Sequence, residues 1–433
     1  MKRFFAFVLV LCMLLPLASC GGAQEPQSSD AAVETTEKPK KTEEKKKDDE
    51  PVVLPKVENP LSRDDVEAIP IANSSMTTDE LRQICLDFIE LSVSFPWTIK
   101  EDLPYHVVRQ EYDVAYNAGG LYAGIPYVNV ASGNVYRWLD VVDPETGVWN
   151  ATQFDVNNLL WGTACSGTAC WAFSRVVNSA KMGWTANLNQ YNGFIPVGPY
   201  TYEGNFNRYG EDGNPDCSDI AKANGEQTMF ESYAKLLPAD CLVNNGHVRL
   251  NAAVPTVVRK EDGTIDGNKS TTLWSDQGMY RNQYYQMRKQ SDGTEYSIQG
   301  GVEVKITFVE LYKSGYLPHT FAEFLGTDPV EPGQATIEHT APTANSTDLQ
   351  KCTLKANYPI SHVVTIIRDK DGNQLVRFTK YIENHFSKER SLLACLPTTA
   401  VQQHQTAGTN TIEMKCQLSN GEMVTFYSGT LQG

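Results

Sequence analysis

No two of the ten cysteines in this 433-residue chain stand in C-x-x-C spacing, and its seven histidines are scattered. The paired-ligand pattern of a zinc site is therefore missing, and neither a metal nor another cofactor is expected. The cysteine spacing is irregular, unlike the dense framework that staples a small secreted domain. Basic charge is short as well: 37 Lys and Arg face 52 Asp and Glu, for a net charge of −15. Phosphate binding needs a basic face, so nucleic acid is disfavoured as a partner, and so is an anionic membrane held by surface charge. Long apolar runs are also missing. The run "FFAFVLVLCMLLPL" at residues 4–17 is shorter than the roughly 20 residues that a spanning helix needs.

What that run does resemble is a secretion signal, with Lys2 and Arg3 as its basic head. Leu17-Ala18-Ser19-Cys20 follows and resembles a bacterial lipobox, in which the cysteine is acylated and becomes the new N-terminus. Residues 1–20 are thus expected to be a lipoprotein signal, with Cys20 as the lipid attachment point and an extracytoplasmic, membrane-anchored chain. The stretch after it, rich in Lys, Glu, Thr and Ser, has almost no aromatic or large apolar residues. It cannot offset the entropy of ordering, so residues 21–70 are expected to form a charged, disordered tether. Forty such residues reach about 35 Å.

Beyond residue 70 the composition is that of a soluble globule, 41% hydrophobic and 21% charged over the whole chain. Thr77-Thr78-Asp79-Glu80 reads as a capping box ahead of Leu81, Ile84, Phe88 and Leu91, so a helix is expected up to Pro96. A second helix is expected over 165–180, and an ordered loop excursion from about 190 to 225. Then the pattern changes to strands: "CLV", a turn at Asn244-Asn245-Gly246, "HVRL", "TTLWSDQ" and "GGVEVKITF". Helices first and strands second predict an α+β domain over 71–328. After "TDPVEPGQ" the chain alternates between apolar runs and Asp-Gly or Asn-Gly turns. Residues 333–433 are expected to form an all-β, immunoglobulin-like sandwich. Cys352 and Cys416 either bridge two of its strands or remain thiols.

Two sulfurs compete for a chemical role in "GTACSGTACWAFS" at residues 162–174. A thiol becomes a nucleophile when a helix N-terminus and a nearby imidazolium lower its pKa. Cys165 and Cys170 are five residues apart, about 140° around a helix, so both cannot face one base. If the helix starts at Cys165, Cys170 lies more than a turn inside it, where the dipole effect has decayed and a free cysteine is usually core. If the helix starts at Cys170, the roles reverse. Position favours Cys165. Among the histidines, His247 begins a strand directly after a turn, with His247, Arg249 and Asn251 on one face and Val248 and Leu250 on the other. A lone histidine at a strand start is usually a surface residue, so this choice leans on Cys165. Asp216-Cys217-Ser218 precedes a segment too polar for a buried helix, and Cys217 is read as a loop residue.

"CSG" opening a helix, then "PADCLVNNGHVRL" some 70 residues on, resembles the NlpC-like cell-wall cysteine peptidases, a papain-like family. "AGIPYVNVASG" at 123–133 is similar to an upstream motif of that family. The resemblance implies a nucleophile helix packed on an antiparallel sheet. It implies Cys165 as nucleophile, His247 as general base and Tyr127 as a substrate-lining residue near the oxyanion. It also implies a polar residue on the strand after the histidine, Gln277 or Asp276. Gln277 is preferred, since the family usually has a neutral or imidazole side chain there. The sequence departs from the pattern in three places. Ala164 stands where the family has aspartate, Ala239 where it has the glycine of Pro-Gly-Asp, and more than 30 residues separate Tyr127 from Cys165. "CWAFS" resembles papain's own nucleophile, but no Asn-Ser-Trp motif follows a downstream histidine. The expected function is cleavage of amide bonds in peptidoglycan or another peptide substrate, with a membrane partner only through the lipid. The alternative is a catalytically silent papain-like lipoprotein that binds the wall or a solute, using the tyrosines of residues 190–209.

Overall fold

A computed structural model describes residues 51–432, apart from 109–111, 129–132, 134, 151–161, 205, 207–213, 279–285, 339–344, 383–385 and 406–407. The signal segment, Cys20 and most of the tether lie outside the described residues. Among those described, no helix is long and apolar enough to cross a membrane. The fold is mixed α+β with several antiparallel sheets, and the described residues form one compact unit.

The structured chain starts earlier than its composition suggests. Ser62 and Asp65 form a reciprocal capping box on α1 (Arg63–Glu67), and Leu61, Val66 and Ile69 are buried in the main core. The end of the expected tether, residues 57–70, is therefore folded. Only a few apolar side chains are needed when a preformed core receives them, so average composition misplaced the boundary. The capping box of Thr77 and Glu80 opens α2 (Thr78–Ser94) as its pattern requires. Helix α3 (Val135–Val141) carries Trp138 into an aromatic cluster with Phe95, Trp97 and Trp149. It occupies part of the long insertion before Cys165. Around it lie a small sheet of β4 (Leu121–Ala123), β1 (Pro96–Ile99) and β5 (Val148–Trp149), and a hairpin of β2 (Leu103–Val108) and β3 (Tyr112–Tyr116).

Helix α4 (Cys165–Phe173) ends seven residues short of the expected 180, where Ser174 caps it and turns follow. Helices α5 (Cys217–Asn224), α6 (Glu226–Tyr233) and α7 (Phe308–Lys313) pack on one another. The central sheet has six strands in the order β12 (Gly300–Thr307), β9 (Thr271–Gln277), β8 (Val248–Asn251), β7 (Cys241–Val243), β13 (Leu317–Thr320) and β6 (Ile195–Pro196). All its pairings are antiparallel. Strand β6 comes from the segment expected to be a loop excursion. A hairpin of β10 (Met287–Lys289) and β11 (Glu295–Ser297) precedes β12. Helices α2 and α4 contact each other, and both contact β9.

A second core lies beyond residue 345. It collects side chains from a sheet of β14 (Ala335–Glu338), β15 (Thr353–Ala356) and β18 (Glu389–Ser391). It also collects them from a sheet of β17 (Gln374–Tyr381), β16 (Ile360–Arg368), β19 (Thr411–Leu418) and β20 (Met423–Thr430), with short helices α8 (Ser346–Gln350) and α9 (Thr398–Gln405) beside them. The turns at Gly372 and Gly421 have positive φ, 86° and 104°, as the Asp-Gly and Asn-Gly signals imply. No disulfide joins any of the eight described cysteines; Cys352 and Cys416 are both thiols in this core.

The second core is not strung on a linker. Arg175, just past α4, is 1% exposed and donates to the Tyr136 hydroxyl and the Ile69 carbonyl. A Cβ on Gly421 would lie 2.6 Å from the Arg175 guanidinium, so the β19–β20 turn needs glycine to close on it. Ser419 donates to the Ser174 carbonyl at 2.9 Å, and Trp171 of α4 packs on Phe386. The C-terminal region thus meets α4 and the residues just past it through the β19–β20 turn and Phe386.

Candidate active site

Cys165 is the first residue of α4, with Ala164 as N-cap. Alanine has no side-chain acceptor, and no side chain caps this helix. No side-chain cap from Ala164 therefore competes for the amides of its first turn. Gly162 permits the approach that sets this start, since a Cβ there would lie 2.4 Å from the Pro126 carbonyl oxygen. Thr163 donates its amide to that carbonyl, and its own carbonyl accepts from Val128. Tyr127 is thereby bridged to Thr163, two residues from Cys165, and is 6% exposed.

The Cys165 sulfur stands 4.0 Å from the carbonyl oxygen of Gly246, the residue before His247. The Cys170 sulfur instead donates to the Gly183 carbonyl at 3.4 Å. Burial pushes the Cys170 thiol up to about 12. Both sulfurs are buried, so helix position rather than exposure tells them apart.

Asn244 builds the turn that carries His247. Its side-chain oxygen accepts the amides of Gly246, at 3.1 Å, and His247, at 2.8 Å. His247 Nε2 lies 2.6 Å from Oδ2 of Asp276, and the same oxygen accepts from Arg249 Nε at 3.0 Å. The Asp276 side chain is fully buried, and Arg249 is 12% exposed. The Arg249 guanidinium lies over the Trp274 ring at 3.9 Å and the Tyr316 ring at 5.0 Å. Asp276 therefore joins a histidine and a stacked arginine.

Gln277, the preferred third residue, is not where the expectation placed it. Its amide donates to the Ile125 carbonyl at 2.6 Å, and its carbonyl accepts from the Thr168 hydroxyl on α4. The reason is sheet register. Leu250 lies opposite Ser275 and Asn251 opposite Trp274. Continuing that antiparallel pairing sets Arg249 opposite Asp276 and Val248 opposite Gln277. Opposite residues share a face and neighbours alternate. Asp276 falls on the face of His247 and Arg249, and Gln277 falls on the face that supports α4.

The remaining candidates sort by environment. Cys217 is not a loop residue: it opens α5, whose N-cap Asp216 accepts from the Asp219 amide at 2.8 Å. Only Cys217, Ile220 and Ala221 of α5 are buried, so three positions on one face suffice and the polar remainder is solvated. Its amide donates to Asn245 in the His247 turn at 2.7 Å, and burial raises its thiol. His319 and His362 are buried, and desolvation lowers each to about 3. The side chains of His106, His339 and His385 lie outside the described residues. Of the tyrosines expected to face a ligand, Tyr191 is 66% exposed, but Tyr200 is buried and its hydroxyl meets His319 Nε2 at 3.2 Å. Tyr209 is outside the described residues.

The aspartate of "PAD" has a structural partner that sequence reasoning missed. Asp240 accepts from Arg82 of α2 at 2.8 Å, and both side chains are 2% exposed. Ala239, in the place of the family's glycine, has φ 60°, the left-handed region that glycine occupies without strain. Among the described residues no group of His, Cys, Asp and Glu is arranged to hold a metal ion. No family profile matches the chain, and neither a curated protein nor a solved structure matches it.

Proposed function

We propose that the chain is a lipid-anchored, extracytoplasmic cysteine hydrolase with a papain-like catalytic region and an immunoglobulin-like C-terminal region. Its substrate on this reading is an amide bond in peptidoglycan peptides or a related peptide. One observation carries the proposal. A cysteine at the uncapped start of a buried helix lies 4.0 Å from the carbonyl preceding a histidine, and that histidine is bonded to a buried carboxylate.

Cys165 attacks the substrate carbonyl as a thiolate. His247 takes the thiol proton and returns it to the leaving amine, so a thioester forms as the C–N bond breaks; water then releases the acid and restores the thiol. Asp276 engages Nε2 by a charge-assisted bond and holds the ring on the sheet face opposite α4, so on this reading His247 exchanges its proton with the sulfur through Nδ1 around the start of β8. Arg249 keeps that carboxylate in place. The amides at the start of α4 stabilise the oxyanion, a role for which Ala164, with no capping side chain, does not compete and a capping aspartate would. Tyr127 lines the approach.

The test compares purified Cys165→Ala and Cys170→Ala proteins on peptidoglycan. The expected result is loss of release by the first and retention by the second; the reverse pattern overturns the assignment. Burial of the Cys165 side chain to 1% exposure favours a second reading, a silent binding lipoprotein. Iodoacetamide separates the two: a Cys165 no more reactive at pH 6 than a simple thiol supports binding without catalysis. The anchor at Cys20 is checked separately, by the mass of the N-terminal peptide of membrane-purified protein.

A further inference from the structure

Beside the first turn of α4 lies a cavity of about 410 Å³, lined by Ser166, Gly167, Lys181, Trp184, Phe386 and Arg390 among others. Two of these residues directly follow Cys165, and two come from the C-terminal region, Arg390 from β18 and Phe386 from the segment before it. The lining holds two cations and no acidic residue, in a chain whose net charge is −15. Arg390, in the middle of β18, is the unusual member. Its Nε and Nη2 atoms are both buried, and neither has a hydrogen-bond partner. Burial also draws its pKa down from the ordinary arginine value.

A buried donor without an acceptor costs free energy, more so when it is charged. Nε–H and Nη2–H are the two parallel donors on one edge of a guanidinium. Both atoms are closed to solvent, so this edge does not open on the cavity; the guanidinium that lines the cavity carries a charge that no carboxylate of the described residues pairs, and a carboxylate in the cavity would neutralise it. Lys181 adds a second positive charge at the mouth, while Trp184, 40% exposed, and Phe386 supply apolar walls. Buried Arg175 and Arg82 each leave Nε without a partner too, but their Nη atoms have acceptors within the protein.

We propose that this cavity is a carboxylate subsite, in which Arg390 and Lys181 bind a free carboxylate of the peptide substrate next to the scissile amide. The proposal rests on the hydrolase reading for the word substrate, and it gives the C-terminal sheets a task. β18 and the segment before it complete the site beside α4 by supplying Arg390 and Phe386.

The test separates binding from chemistry. Cys165→Ala protein is titrated calorimetrically with a wall-derived tetrapeptide bearing free carboxylates and with its fully amidated counterpart. The acid form is expected to bind about 10- to 100-fold more tightly, the range for hydrogen bonds to a charged partner. Arg390→Gln in the same background should reduce that preference to about 3-fold or less, with Arg390→Lys intermediate. Lys181→Gln, at an exposed position, should lose a few-fold and guards against an Arg390 variant that misfolds. Equal affinity for the two peptides, no binding of either, or a preference that survives Arg390→Gln overturns the subsite. Turnover of both peptides by wild-type protein is measured in parallel. Hydrolysis without acid preference overturns the subsite alone, whereas acid preference without hydrolysis supports the subsite and overturns the hydrolase reading.

Discussion

Replacing Asp276 with asparagine tests the register that separates it from Gln277. The carboxylate accepts from His247 at 2.6 Å and from Arg249 at 3.0 Å, and it is fully buried. Asparagine keeps the shape but removes the charge; with its oxygen toward His247 and Arg249, its Nδ2 donor faces the Gly301 amide, which bonds Oδ1 at 3.3 Å in the wild type. Removing one partner of a buried ion pair costs about 3–5 kcal/mol. Arg249 keeps some solvent contact and its stack on Trp274, so the lower end, about 3 kcal/mol, is expected. For a chain of this length the unfolding entropy is about 0.9 kcal/mol/K, which converts that loss to about 3 °C in Tm. Turnover should fall much further, by about 100-fold or more, because the base loses its orientation. Gln277→Leu makes the contrast. It removes the bonds to Thr168 and Ile125 and should cost about 2 kcal/mol, yet leave turnover within about ten-fold of wild type. Calorimetric melting and peptide turnover, measured on both variants, decide the matter. A folded Gln277→Leu protein that is inactive, beside an Asp276→Asn protein that is active, would refute the register argument.

Three further outcomes follow from the same geometry. Arg82→Ala, which strands Asp240 at 2% exposure, should destabilise the fold by about 3–5 kcal/mol, read by denaturant unfolding. Cys170, pushed up to about 12 by burial, should resist iodoacetamide at pH 8 in folded protein; alkylation there, seen by mass spectrometry, would contradict its place inside α4. His319 and His362 are held near 3, below the unfolded value of 6.5. Because the unfolded chain takes up their protons first, their contribution is present above pH 6.5 and is lost as pH falls from there towards 3. At pH 5 that loss is about 2 kcal/mol for each histidine. His362→Phe, which retains ring contact with Tyr136 and Tyr381, should flatten the fall of Tm between pH 7 and pH 5, and an unchanged slope would contradict the assignment.

Local signals were sufficient wherever the chain solves its own problem. The capping box at Thr77, the start of α4 at Cys165, strand Thr271–Gln277 and the Asp-Gly and Asn-Gly hairpins depend on side chains and backbone within a few residues of each other. Alternation along "HVRLN" likewise put His247 and Arg249 on one face from sequence alone. Which neighbour on the next strand joins them depends on pairing register. A slip of one residue exchanges Asp276 for Gln277, and only the tertiary structure decides it. Cys217 was misplaced because a helix that buries three residues on one face needs little hydrophobicity once other elements cover that face. Arg82, the partner of Asp240, and Ile69, one partner of Arg175, lie over 100 positions away in sequence, where no local pattern reaches. The same holds for Arg390: nothing in "KERSLL" distinguishes it from a surface arginine. Its place in the wall of a cavity beside α4, with two of its nitrogens buried without a partner, makes it a candidate ligand-binding residue.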